Sequence, residues 1–163
     1  MARARRGAAW RIANIAGLCL LLMTAACRST LPVGEGAGAS AAGSNHLAEI
    51  RASHGLSRLS ADPKLERAAL QQAGYMARAG RMAHDTGRGR DFVSRMNGDG
   101  IAAPAAENLA HGRIEPDRLF TMWMASPGHR RNILDERMNR FGLAHVNEGG
   151  NGSQRYWALV LAK

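Results

Sequence analysis

The spacing of apolar residues changes along the chain, and each change predicts a different element. Ile12 to Ala26 is mostly apolar, interrupted by Asn14, and follows Arg3, Arg5, Arg6 and Arg11. At about 15 residues the run is short of the roughly 20 that a helix needs to cross a bilayer, and the basic residues before it give it the layout of an export signal. Residues 28–45, RSTLPVGEGAGASAAGSN, carry almost no bulky apolar side chain and predict a flexible tether. Helical spacing begins near Ser44 or Asn45, with Leu47, Ile50 and His54 on one face and Gly55 as the end. A second helix is bounded by Asp62 as N-cap, Pro63 at its first position and Gly80 as its stop. Its stripe of Leu65, Ala69, Gln72, Ala73 and Met76 is mostly small, which suits close packing on a sheet or a neighbouring helix.

A short helix is expected over Asp91 to Met96, followed by the turn Asn97-Gly98-Asp99-Gly100. Another helix starts at Pro116, carries Leu119, Phe120, Trp123 and Met124 on its apolar face, and ends at Pro127-Gly128. Phe141 to Val146 and Tyr156 to Leu161 then read as strands separated by a Gly- and Asn-rich turn. Helices followed by strands in this mixture predict an α+β layered domain.

The chain has two cysteines, Cys19 and Cys27. Thr24-Ala25-Ala26-Cys27 resembles a bacterial lipobox, which implies lipidation of Cys27 after cleavage before it; a plain secretory signal is the alternative. The expected organisation is a signal segment over 1–26, a lipidated cysteine and tether over 27–45, and one domain over 46–163. With no cysteine beyond Cys27, no disulfide can form inside that domain, so packing has to stabilise it.

The formal net charge of +9 is partly the leader's. Without its four arginines, 18 basic residues face 13 acidic ones, a net +5. Such a surface suits anionic lipid headgroups or cell-wall polymers. No basic motif interleaved with aromatic residues is present, and no specific nucleic-acid partner is expected.

Four motifs occur in order: MAHD (Met82 to Asp85), AENLAHG (Ala106 to Gly112), WMASPGHRRNIL (Trp123 to Leu134) and YWALVLA (Tyr156 to Ala162). Together they resemble the CAP superfamily of cysteine-rich secretory proteins, insect antigen 5 and plant pathogenesis-related class 1 proteins, over roughly Asn45 to Lys163. The resemblance implies an α-β-α sandwich with a central antiparallel sheet and a cleft formed by His84, Glu107 and His129. It also implies a second acid, and Ser126 stands close to that acid's position. Each residue has a plainer reading as well. His84 suits a partner for a helix C-terminus, Glu107-Asn108 a turn pair, and His129 a cap on the helix closing at Ser126. Trp123, Phe120, Phe141 and Trp157 read as core. His46, His54, His111 and His145 lack matching partners, although His111 is near enough to Glu107 in sequence to border the same cleft.

Two imidazoles a few ångströms apart can hold Zn²⁺ or another divalent ion, with the carboxylate as ligand or orienter, so His84 and His129 are the candidate metal ligands. Neither His-Glu-x-x-His nor Gly-x-Ser-x-Gly occurs, and nothing in the trio is a nucleophile. No catalytic residue is therefore assigned. The expected protein is an exported, lipid-anchored and monomeric module of the cell envelope, facing the periplasm from the outer membrane in a Gram-negative host. Its ligand would be a lipid, a cell-wall component or a protein. A metal-dependent hydrolase using the same cleft and a structural envelope protein are the alternatives.

Overall fold

The longest helix, α2 (Pro63–Ala79), forms where its end signals place it. Asp62 Oδ1 accepts the backbone N–H groups of Lys64 and Leu65 at 2.7 and 3.3 Å, Pro63 occupies the first turn, and Gly80 takes the left-handed conformation at φ 60°. Its small-residue stripe lies on the sheet, and Leu65, Ala69, Ala73 and Met76 are completely buried.

The computed structural model describes residues 34–149 and 153–163. The expectations for the export signal, Cys27 and residues 28–33 lie outside the described residues. The remaining elements are β1 (Gly36–Gly38), α1 (Ser40–Ala52), β2 (Ser60–Ala61), α3 (Phe92–Gly98), β3 (Ala105–Gly112), α4 (Pro116–Ala125), α5 (Pro127–Ile133), β4 (Arg140–Asn147) and β5 (Arg155–Ala162).

The sheet runs β1-β4-β5-β3 with antiparallel neighbours, and the short β2 adds a parallel pair along the same side of β4 as β1. Side chains alternate between its two faces. Phe141, Leu143, Trp157, Leu159 and Leu161 pack with α1, α4 and α5, while Ala144, Val146, Tyr156, Ala158 and Val160 pack with α2 and α3. This is the expected α-β-α sandwich. Because β5 is covered on both faces, its sequence is a continuous apolar run rather than an alternation.

Three expectations need correction. The Gly-, Ala- and Ser-rich segment before residue 46 is not all tether: Gly36–Gly38 pair with β4, and α1 begins at Ser40 rather than Ser44 or Asn45. Low side-chain bulk here serves close packing. Gly43 faces Leu143 and Phe120, and a β-carbon there would crowd both. The Ser40 hydroxyl accepts the Leu143 N–H at 3.0 Å, and Glu66 accepts the Ser40 N–H at 2.9 Å.

Second, Ser126-Pro127-Gly128 does more than end α4, because Pro127 opens α5. Third, Glu107-Asn108 is not a turn pair but the middle of β3, a strand the sequence reading did not anticipate.

Candidate functional site at the β3 edge

β3 is an edge strand, and its alternation sends Glu107 toward the α2 and α3 layer and Asn108 toward α4 and α5. The candidate site forms where these two layers meet the edge. On one side, the Asn108 amide, completely buried, donates to the His129 carbonyl at 3.1 Å. Asn132 Nδ2 lies 2.9 Å from Asn108 Oδ1 and 3.3 Å from the Glu107 carbonyl. These bonds tie α5 to the strand and fix the backbone that carries His129, the third residue of α5. Its ring meets Trp123 edge-on, with centroids 6.4 Å apart. Trp123 is itself held by an indole N–H bond to the Leu109 carbonyl at 3.1 Å.

On the other side, His84 sits on the loop between α2 and α3, with Nδ1 2.8 Å from Glu107 Oε1. Gln72 Nε2 donates to the Ala83 carbonyl at 2.7 Å, and Arg95 donates to the carbonyls of Arg90 and His84, so the loop is clamped at three points. The side chains of Arg95 and Glu107 are both 2% exposed and meet at 2.9 Å, whereas that of His84 is 57% exposed. A carboxylate accepts and does not donate, so Nδ1 of His84 carries the proton and Nε2 is left as the other ring nitrogen. Burial, reinforced by the nearby positive charge of His84, holds His129 below the usual imidazole range. This favours a neutral ring, with a lone pair, at physiological pH.

The buried carboxylate is not fully satisfied. Glu107 Oε2, Arg95 Nη1, Gln72 Oε1 and Thr86 Oγ1 have no protein partner. Buried atoms of this kind are normally paired with ordered water or a ligand. The site can therefore offer an exposed imidazole and a second, more sheltered one, backed by a polar wall with unused hydrogen-bonding capacity.

For a metal the donor set is thin. Glu107 is buried and its Oε1 is already shared between Arg95 and His84, which places it to orient an imidazole. Among the described residues no group of three or more His, Cys, Asp or Glu side chains is arranged to hold an ion. The two imidazoles do not fit the three-ligand pattern of catalytic zinc, and no hydrolytic step follows from them.

The structure brings His84, Glu107 and His129 to one edge and leaves the other histidines elsewhere. His111 follows four residues later on β3, where it stacks on Tyr156 at 4.1 Å and lies 3.7 Å from Glu148. His46 pairs with Asp117 at 3.1 Å, His54 lies 2.9 Å from an Arg130 nitrogen, and His145 packs on Trp157. Ser126 makes no capping hydrogen bond at the junction of α4 and α5. A groove of about 520 Å³ between α1 and α4 is also elsewhere and is lined by His46, Glu49, Asp117 and Phe120. The hydrogen-bonded cluster, rather than groove size, marks the candidate site.

Sequence reasoning did not single out Arg95, Gln72 or Asn132 as part of the site. Asn132 was within reach, since it lies in the SPGHRRN motif one helical turn after His129. Arg95 carried no such signal.

A three-layer α-β-α domain with paired histidines and a buried glutamate at a sheet edge defines the class of protein. The chain belongs to the family described as CAP, cysteine-rich secretory protein family, whose sequence model matches residues 45–161. It is 29% identical over 107 residues to the uncharacterized protein YkwD of Bacillus subtilis (strain 168), an alignment covering 65% of this chain and 42% of YkwD. The chain thus spans less than half the length of that relative. Its fold is similar to that of an outer surface protein from Borrelia burgdorferi, with a TM-score of 0.69, 20% identity, and 80% of this chain and 98% of that one covered. An extracellular protein containing a SCP domain from Bacillus anthracis str. Ames is similar at a TM-score of 0.65 and 19% identity, covering 76% of this chain and 39% of that one.

Proposed function

We propose that this protein is an exported CAP-domain module, lipid-anchored through Cys27 at the cell envelope, whose edge site binds a ligand through His84 and His129. The observation that carries the binding reading is the 2.8 Å bond between His84 and a buried Glu107 that Arg95 also holds. It orients one ring nitrogen of an exposed imidazole at no further cost when a ligand arrives. The same cluster supplies no nucleophile, and a serine stands where the resemblance implies a second acid, so binding is favoured over turnover.

The anchor is supported by the arginine-led apolar segment and by Ala25-Ala26-Cys27. An envelope location agrees with the surface and extracellular descriptions of the two similar structures. The ligand is a lipid, a cell-wall component or a protein, and the module acts as a monomer.

Protein recovered from the envelope of the producing cell tests both parts by mass spectrometry. The intact mass should show an acylated Cys27 as the first residue. Under native conditions the wild type should carry a ligand that His129→Ala and His84→Ala lose. A protein that is empty in every form, with both variants altered in stability alone, would replace the binding reading with a structural one. Divalent-metal retention together with hydrolysis of an envelope substrate would replace it with a hydrolase.

A further inference from the structure

α2 turns its buried stripe to the sheet and leaves Lys64, Arg67, Gln71 and Arg78 exposed on the outside. Two grooves of about 440 and 280 Å³ run along this outer face and share Arg67 and Gln71 as a common wall. Arg78 folds back over Gly74 and lies 5.2 Å from the Tyr75 ring centroid, while Arg90 lies 4.6 Å from the same ring. One phenol ring therefore holds two guanidinium groups at the surface. Among the described residues, none of Lys64, Arg67, Arg78 and Arg90 forms an ion pair with a carboxylate. The residues lining the two grooves include three cations, Lys64, Arg67 and Arg78, and one acid, Asp99. The groove on the opposite helical layer differs, since Glu49 and Asp117 line it, while Arg118, Arg130 and Arg131 stand exposed elsewhere on that layer.

The position of the chain's entry into the fold gives this polarity a direction. Gly34 and Gly36 line the larger groove beside Arg67 and Arg78. Six residues lie between Cys27 and Gly34, and the seven steps from one to the other, fully extended, reach at most about 25 Å. Any anchor at Cys27 is thus confined close to the cationic side. We infer that the outer face of α2, centred on Arg67, Arg78 and Arg90, lies against the anionic phospholipid headgroups of the membrane that holds the anchor.

This inference rests on the lipid-anchor reading for its geometry, while the headgroup contact follows from the uncompensated cations. Guanidinium groups pair with phosphate oxygens in a two-pronged geometry, and a tether of this length keeps the encounter intramolecular. The contact would turn the α1 and α4 groove outward, because that groove lies on the opposite face of the sheet from α2. Each basic residue at such a surface strengthens binding about fivefold at physiological salt.

The test uses the processed full chain recovered from producing cells, with its intact mass reporting whether Cys27 is acylated. Fluorophores are placed on Gln71→Cys, on the α2 face, and on Met122→Cys, on the exposed side of α4. The proteins are reconstituted in phosphatidylcholine vesicles with and without phosphatidylglycerol, and lipid-borne quenchers report proximity. The expected result is strong quenching at position 71 and weak quenching at 122. The difference should grow with phosphatidylglycerol, fall with added salt, and be abolished by R67E/R78E. The charge-matched R118E/R131E should retain it, and circular dichroism of both pairs should match the wild type.

Equal quenching at the two positions, or a difference that survives R67E/R78E, overturns the inference. Binding of inorganic polyphosphate that removes the protein from vesicles at matched phosphate concentration overturns the bilayer in favour of a soluble polyanion. Absence of the acyl mass defeats the anchor reading separately. Unlabelled protein is then scored by co-sedimentation with the same vesicles, where loss of binding by at least about twentyfold in R67E/R78E upholds the headgroup contact and no loss overturns it.

Discussion

Gly142 of β4 lies directly beneath the Leu65-Glu66 peptide of α2, so that a β-carbon at residue 142 would collide with the Glu66 nitrogen and the Leu65 carbonyl carbon. The obstruction is backbone, which no rotamer change relieves. Close contact of α2 with β4 sets the height of that whole layer over the sheet, and the loop that carries His84 leaves from its C-terminal end.

Gly142→Ala is accordingly expected to cost more than about 3 kcal/mol, beyond ordinary overpacking, because a helix rather than a side chain must move. Urea unfolding with the midpoint read by tryptophan fluorescence measures it. A cost below about 1 kcal/mol would show that α2 can lift without loss.

Arg51 is a second structural tie, only 1% exposed. Its guanidinium donates to the carbonyls of Ser57, Ile133, Asp135 and Met138 at 2.7 to 3.3 Å. It thereby joins α1 to the end of α5 and to the approach into β4. Arg51→Ala should destabilise by about 3–5 kcal/mol through the orphaned carbonyls and the lost contacts. Arg51→Lys should recover only part of this, since an ammonium cannot reproduce the planar fork. Denaturation of the three proteins gives the order directly.

At the candidate site, Glu107→Ala leaves Arg95 buried without its partner and is expected to cost about 3–5 kcal/mol. His84→Ala removes an exposed ring and should cost less than about 1 kcal/mol. The two variants therefore separate support from contact: both should weaken ligand capture, and only Glu107→Ala should lower the unfolding midpoint appreciably. Equal stability losses would contradict the assignment of His84 to the accessible side of the pair.

His129 and His145 are both held below the usual imidazole range, by burial first. The charge of His84 adds to this at His129, and that of Arg155 at His145. In such a case the unfolded chain binds the proton more readily than the folded one. Stability is then full above the unfolded value near about 6.5, and is lost as the pH falls below it until the depressed folded values are passed. Unfolding followed between pH 7.5 and 5 should show this decline, with these limits set about the ~6.5 reference value. His145→Asn should make it shallower. A slope of the opposite sign would mean that these rings gain, rather than lose, proton affinity on folding.

α2, α4, β4 and β5 are legible in the sequence because local signals and burial agree there. Asp62, Pro63 and Gly80 mark both ends of α2, and the run from Tyr156 to Ala162 needs cover on two faces. β3 escaped such reading. Its AAENLAHG sequence alternates nothing obvious, since Glu107 and Asn108 point to opposite layers and each meets its partner from another element, Arg95 in one case and Asn132 in the other. The start of α1 escaped for a related reason: Ser40 and Gly43 look like linker until Leu143 and Phe120 stand against them.

By itself the sequence determined the layered α+β class and the family, because periodicity and motif order are properties of the chain, and the family resemblance implied His84, Glu107 and His129 as a set. Only the tertiary structure decided that Arg95 neutralises Glu107, that Nδ1 of His84 is committed to that carboxylate, and that the outer-face cations of α2 have no carboxylate partner among the described residues. The two contacts of Glu107 join residues 12 and 23 positions apart in sequence. No local pattern encodes either.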